Sequence, residues 1–251
     1  MRLDLYLVEN NLSSTRSKAQ MLIKEGLVFV DGKSVTKVSQ DIGESQKVEV
    51  REHDEYVSRG AKKLLGAIDV FSLNFKDKVV LDMGASTGGF TQVALKFGAK
   101  KVYAVDVGKG QLDEKIKSDP RVKSMENQDV RLLTSEQVKN VDIVVGDLSF
   151  ISLKLILPHL KQILGDKEMC LLFKPQFECG KEIAKKSRGV IKDAKIHKRL
   201  LEDFCDYVKV LGFNMSGLAV SPITGGDGNR EFLVYLNGKE QNKIDIDKMI
   251  K

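Results

Sequence analysis

The sequence predicts a Rossmann-like α/β domain with a mostly parallel sheet, preceded by a small α+β domain. Three observations carry that prediction. Near residue 55 the pattern changes from two short helices and a hairpin to an alternation of apolar strands and helices. The later strands are near-continuous apolar runs, as in a parallel sheet covered by helices on both faces. The first of them, in VLDMGASTGGF at residues 80 to 90, breaks into glycines before a helical pattern resumes.

In chain order, RLDLYLVEN places Leu3, Tyr6 and Leu7 on one helical face. SSTRSKAQMLIKEG follows as a second helix, with Ser13 or Ser14 as the N-cap and Gly26 as the terminator. LVFVDGKSV reads as a hairpin turning on Asp31-Gly32, and QKVEV as a later strand. Residues 1 to 50 form this first unit, the polar stretch 51 to 55 a linker, and 56 to 251 the larger domain. In the latter, strands are expected at VVLDM, KVYAVDV, VDIVVGDLSF, MCLLFKPQF and FLVYL. Helices are expected at FTQVALKFG, LILPHLKQIL and a basic region from 181 to 199.

Composition narrows the class. The chain has 251 residues, 42% hydrophobic and 30% charged, the balance of a folded globular protein. Its N-terminus MRLDLYLVEN lacks an uninterrupted apolar core and no run approaches the ~20 apolar residues of a membrane span. A cytoplasmic protein without membrane contact is expected. Cys170, Cys179 and Cys205 have no C-x-x-C pairing, and His53, His159 and His197 are scattered, so neither a disulfide framework nor a metal site is implied. The formal charge of +6 points to a polyanionic partner. Residues 181 to 199 concentrate it: eight Lys or Arg, among them Lys185, Lys186 and Arg188, stand against Glu182 and Asp193. A solvated helix face and a surface for nucleic-acid backbone both fit such a run.

The glycine turn excludes two familiar ligands. Gly84 is followed by Gly89, Phe90 and Thr91, without the lysine of a triphosphate loop, and Gly84, Gly88 and Gly89 lack dinucleotide spacing. An acid, Asp82, stands at the end of the first strand, and Asp106 ends the second, where it can accept bonds from both ribose hydroxyls. A nucleoside without phosphates fits this set, and S-adenosylmethionine is such a ligand. Asp82, Gly84, Ser86, Thr87, Gly88, Gly89, Phe90, Asp106 and Val107 are the candidate contacts. Close helix packing is the competing account of the glycines.

The first fifty residues resemble the S4 RNA-binding domain, and residues 56 to about 236 resemble the FtsJ-like methyltransferases. The order YVSRGAKKL, DMGASTGGFTQ, VVGDLSFISL, LFKPQFE and GNREF is similar to the hemolysin TlyA family of ribosomal RNA 2'-O-methyltransferases. The resemblance implies phosphate contacts at Arg16, Lys18 and Lys24, ribosomal RNA or ribosomal subunits as partner, and S-adenosylmethionine as cofactor. It also implies a catalytic tetrad: Lys63 in SRGAKKL, Asp147 in GDLSF, Lys174 in FKPQFE and Glu231 in GNREF. Lys62 is adjacent, but Lys63 directly precedes the leucine as the family's lysine does. The sequence departs from the family where DEYV replaces an Arg- and Trp-containing interdomain motif, at Leu148, and at Asp129 in ENQDVR, which can lie beside an adenine. Asp147 is also expected near the cofactor.

Chemistry supplies its own reason for those residue types. A ribose 2'-hydroxyl is a poor nucleophile near pH 7, and a lysine can act on it as base or orienter, its charge set by neighbouring carboxylates. Two further readings stand beside this one. A non-catalytic ribosome-assembly factor needs only the RNA surfaces, and a hemolysin needs an amphipathic or spanning segment, for which the sequence offers no candidate. The loop TGGDGNR is either a plain hairpin connection or a lid, and at Ser58 and Arg59 helix capping competes with RNA contact.

Overall fold

The computed structural model describes residues 1–43, 45–51, 56–238 and 244–250. Residues 52–55, most of the expected linker, lie outside them.

The N-terminal unit packs α1 (Leu3–Glu9) and α2 (Arg16–Lys24) on a three-stranded sheet of β1 (Val28–Val30), β2 (Lys33–Val35) and β3 (Val48–Val50), in the order β2-β1-β3. Leu3, Leu7, Ala19, Ile23, Val28, Val30 and Ile42 form its core. Asp31 and Gly32 turn the β1–β2 hairpin with φ of 50° and 77°, the left-handed pair a tight hairpin demands. The N-cap of α2 is Thr15, not Ser13 or Ser14. Thr15 has the extended backbone a cap requires, and its hydroxyl accepts from the Lys18 amide, whereas the Ser13 hydroxyl donates to the Thr15 carbonyl.

The larger domain is a seven-stranded sheet. Its strands are β4 (Val79–Met83), β5 (Lys101–Val105), β6 (Val122–Met125), β7 (Ile143–Gly146), β8 (Glu168–Phe173), β9 (Met215–Val220) and β10 (Phe232–Leu236). They lie in the order β6-β5-β4-β7-β8-β10-β9, with only β10 antiparallel to its neighbours. Successive residues of a strand face opposite layers. Leu81, Val144, Leu171 and Phe232 meet α7 (Leu157–Leu164) and α10 (Ala194–Val210) on one side. Val80, Val145, Leu172 and Leu233 meet α3 (Ala61–Phe71) and α4 (Gly89–Lys96) on the other. Phe173 lies 4.9 Å from Phe204 between ring centroids at the centre of the first layer, where truncation of either ring to alanine costs about 3–5 kcal/mol.

Shorter elements complete it: helical turns α5 (Glu114–Lys117), α6 (Ser135–Val138) and α8 (Pro175–Glu178), then α9 (Gly180–Lys186), and α11 (Ile246–Met249) near the C-terminus. The basic region is therefore two helices, α9 and α10. They are separated by a turn in which Arg188 and Gly189 take φ of 49° and 81°. Chain order reverses between β4 and β7, because β5 and β6 build outward on one side and β8 on the other. In open α/β sheets, ligands bind at the carboxyl ends of strands beside such a switch point.

Candidate active site

Those strand ends open on a cleft of about 700 Å³. The carboxyl ends of β4 and β7 pass so closely that a Cβ on Gly84 would lie 3.0 Å from the Asp147 carbonyl oxygen, and Gly84 has φ of 76°. Gly88 is also left-handed, and its missing side chain leaves room for Leu112 and Ile116. At Gly89 a Cβ would strike the Ser58 hydroxyl at 2.2 Å. Close packing of protein against protein thus accounts for the missing side chains of these glycines. Ser58 does not cap α3, whose N-cap is Gly60 without a side-chain bond; it packs on the glycine turn instead.

Asp106 secures the turn. Its carboxylate accepts from the Ser86 amide at 2.8 Å and from the Gly108 amide at 2.7 Å, one bond to each oxygen. Each oxygen keeps acceptor capacity for a hydroxyl. Gly84, Ser86, Gly89, Phe90 and Asp147 line the cleft, as do Ala85 and Gln111, which the sequence pattern does not single out. Thr87, Gly88, Asp106 and Val107 stand outside its walls. Asp82 is wholly buried beneath the turn, where it accepts from Thr91 Oγ1 at 2.6 Å while Oδ1 has no hydrogen-bond partner among the described residues. Burial, followed by the charges of Asp106 and Asp147, pushes its carboxyl up to about 7. Asp129 is turned to Arg131, whose guanidinium it holds at 2.5 Å.

Four side chains converge at the other end. Lys63 Nζ donates to Asp147 Oδ2 at 2.8 Å and pairs with Glu231 Oε2 at 2.7 Å; Lys174 Nζ pairs with Asp147 Oδ1 at 2.6 Å and donates to Ser149 Oγ at 2.9 Å. The order is alternating, Glu231–Lys63–Asp147–Lys174, so each inner charge has a counter-ion on both sides. Burial opposes the charged form of Asp147, but the two ammonium groups outweigh it and bring its carboxyl down to about 2. Burial likewise works against the Lys63 ammonium, and the two carboxylates prevail and raise its pKa. Lys62 is exposed. Lys174 is delivered by the end of β8, where Pro175 opens α8 and ends the extended run.

Aromatic residues complete this end. Phe150 is 84% exposed with φ of 64°, its ring 5.2 Å from Phe177, and both line the cleft beside Lys174. Glu178 braces the loop that carries Phe150: its carboxylate accepts from the Ser152 hydroxyl and the Leu153 amide. Lys24 lines the cleft from α2, and the Met21 sulfur accepts from the Ser86 hydroxyl at 2.9 Å. Arg16 is half-exposed and donates through Nε to Asp4, a fully buried carboxylate that also holds Arg2 and Gln20. Lys18 is half-buried, whereas Lys185, Lys186 and Arg188 are exposed. Among the described residues no cluster of His, Cys, Asp or Glu could hold a metal ion.

A switch-point cleft with a glycine turn at one end and a charged tetrad at the other defines a Rossmann-like methyltransferase. Residues 56–238 match the FtsJ-like methyltransferase family and residues 1–48 the S4 domain. The chain is 39% identical to Hemolysin A of Brachyspira hyodysenteriae, over 94% of this chain and 99% of that one. It is 39% identical to the 16S/23S rRNA (cytidine-2'-O)-methyltransferase TlyA of Mycobacterium tuberculosis, over 94% of this chain and 89% of that one. A solved structure of a hemolysin-type protein from Streptococcus thermophilus superposes with a TM-score of 0.76 at 39% identity, covering 100% of this chain and 94% of that one. The chain belongs to the TlyA/hemolysin family of S4-containing, S-adenosylmethionine-dependent FtsJ-like methyltransferases.

Proposed function

We propose that the protein transfers a methyl group to a ribose 2'-hydroxyl, that of a cytidine, in ribosomal RNA. The observation that carries the reading is the alternating quartet Glu231–Lys63–Asp147–Lys174 at the mouth of the cleft. The relatives named for cytidine-2'-O transfer support the choice of nucleotide.

The residues present fit the cofactor. Gly84, Ser86, Gly89 and Phe90 would hold it along the turn, with Asp106 accepting from its ribose and Asp147 next to its cationic sulfur. Bound there, S-adenosylmethionine supplies an electrophilic methyl carbon. Lys174 is the group at the hydroxyl. Its ammonium is held by Asp147 and by Ser149, so its position is fixed and it orients the 2'-oxygen; an ammonium has no lone pair, so the proton released on transfer passes to water. Lys63 pairs with both the Asp147 and the Glu231 carboxylates and, after Lys174, keeps Asp147 ionised. Phe150 and Phe177 offer a surface on which an extruded base can stack. Arg16, Lys18, Lys24, Lys185, Lys186 and Arg188 would meet phosphates.

The test is to map methylation on ribosomal RNA incubated with the purified protein and labelled cofactor, by nuclease digestion and mass spectrometry. A 2'-O-methylcytidine is expected. A methylated base atom, or no product on subunits and naked RNA alike, would overturn the reading.

A further inference from the structure

The proposed mechanism makes no use of Asn229, in the glycine-rich loop TGGDGNR. Its side chain is 1% exposed, and both polar ends are engaged far away in sequence. Nδ2 donates to the Gly189 carbonyl at 2.8 Å, and Oδ1 accepts from the Ile191 amide at 3.0 Å. Its own carbonyl accepts from the Gly225 amide at 2.9 Å, which closes the loop. That closure places Gly225 against the tetrad, since a Cβ there would lie 2.6 Å from Glu231 Oε1. Two residues after Asn229 the chain delivers Glu231 to Lys63.

The other end of the bridge is the basic rim. The Gly189 amide donates to Ala184 O and the Arg188 amide to Lys185 O, so the turn that Asn229 grips is the C-terminal cap of α9, the helix of Lys181, Lys185 and Lys186. Gly189, Gly226 and Asp227 all line the cleft. One buried amide therefore connects the strongest positive segment of the chain to the strand of Glu231. A side chain whose donor and acceptor are both satisfied by backbone leaves its partners unpaired when removed, and a buried unpaired N–H or C=O makes the joint give way.

We propose that Asn229 is a positioning residue that locks the basic rim to the Glu231 strand, so that RNA held on the rim sets the geometry of the tetrad. The inference rests on the reading of residues 181–199 as a phosphate-binding surface.

The experiment is a double-mutant cycle in the full-length protein, pairing Asn229→Ala with Arg188→Ala. Cofactor affinity and thermal midpoint are measured first, then the salt dependence of binding to naked ribosomal RNA, then kcat on unmodified subunits. Asn229→Ala is expected to keep cofactor affinity within about twofold and to lower kcat at least tenfold. It should also flatten the slope of log K against log salt by about 0.7–0.9 for each phosphate that the rim no longer neutralises. Arg188→Ala should weaken RNA binding several-fold in the wild-type background and less than twofold beside Asn229→Ala. Additive effects on RNA binding, or an unchanged slope with an unchanged kcat, would overturn the proposal. Should Asn229→Ala not fold, Asn229→Asp carries the same cycle, since it keeps the acceptor for Ile191 and replaces the donor to Gly189 by a carboxylate oxygen. Failure of both to fold makes the residue a stability element and also overturns the proposal. If the wild-type protein transfers no methyl group, the proposed function fails, and the binding cycle still decides the role of Asn229.

Discussion

Replacing Lys63 by methionine keeps most of the volume of the side chain and removes one charge that serves two buried carboxylates. Lys63 is 9% exposed at its side chain and Glu231 2%, with contacts of 2.8 Å to Asp147 and 2.7 Å to Glu231. Removing one partner of a buried pair costs about 3–5 kcal/mol, because the partner charge stays behind. For a chain of this length that corresponds to a fall of roughly 10 °C in the melting transition of the larger domain. The pH dependence is more diagnostic. In the wild type, Asp147 is held at about 2, below its ordinary value of 3.8. It therefore contributes about 2 kcal/mol that is fully present above pH ~4 and lost as pH falls toward 2. Without Lys63, Asp147 loses one of the two ammonium groups that hold it ionised and takes up a proton more readily in the folded state, so the deficit of the variant against wild type should shrink as pH is lowered from 8 to 5. Calorimetry of Lys63→Met, Lys62→Met and wild type across that range is the assay. Lys62 is exposed, so its substitution should cost less than about 0.5 kcal/mol. Equal losses at both positions, or a Lys63→Met deficit that ignores pH, would refute the reasoning.

Other outcomes follow from the same geometry. Asp82, raised to about 7 from 3.8, binds a proton when folded that the unfolded chain has released, so the wild type should lose up to roughly 4 kcal/mol relative to Asp82→Asn between pH 4 and 8; parallel stability profiles for the two proteins would contradict the burial argument. Gly84→Ala must place a Cβ 3.0 Å from the Asp147 carbonyl at φ of 76°, and titration calorimetry should show at least a tenfold weaker cofactor. Deleting residues 1–50 should weaken RNA binding and flatten its salt dependence while cofactor affinity changes less than about threefold, because Asp106 holds the backbone amides of Ser86 and Gly108 whereas α2 meets the turn through the Met21–Ser86 side-chain bond; a salt slope equal to that of the full chain would remove the phosphate role of Arg16, Lys18 and Lys24.

Much of this is legible in the residues. Apolar runs such as VVLDM and MCLLF are buried on both faces, so their composition alone marks them as central strands. The two strands that the sequence pattern does not announce lie at the sheet edges, where that pattern dilutes: VKSM in β6 is half polar, and MSGLAV in β9 carries a glycine. The reversal of β10 leaves no local mark, since an apolar strand reads alike in either direction. At the site, motif context marks Lys63, Asp147, Lys174 and Glu231, and only the fold brings residues so far apart into one chain of ion pairs. The glycines stand where the sequence places them, and the atoms filling the space beside them belong to Asp147, Leu112 and Ser58. Asn229 is hidden because its bonds to Gly189 and Ile191 span about 40 residues, and an asparagine in a glycine-rich loop looks like any turn residue.

Lys174 is the one member of the quartet assigned to the hydroxyl itself, so the proposed chemistry stands most directly on it. The decisive measurement is single-turnover methyl transfer to unmodified ribosomal subunits by wild type and Lys174→Ala, with cofactor and RNA affinities determined on the same preparations. The variant should bind both ligands within about threefold of wild type and lose at least a hundredfold in rate, a deficit confined to the transition state. Undiminished transfer by Lys174→Ala, or a loss matched by a loss of cofactor affinity, would contradict the proposed role.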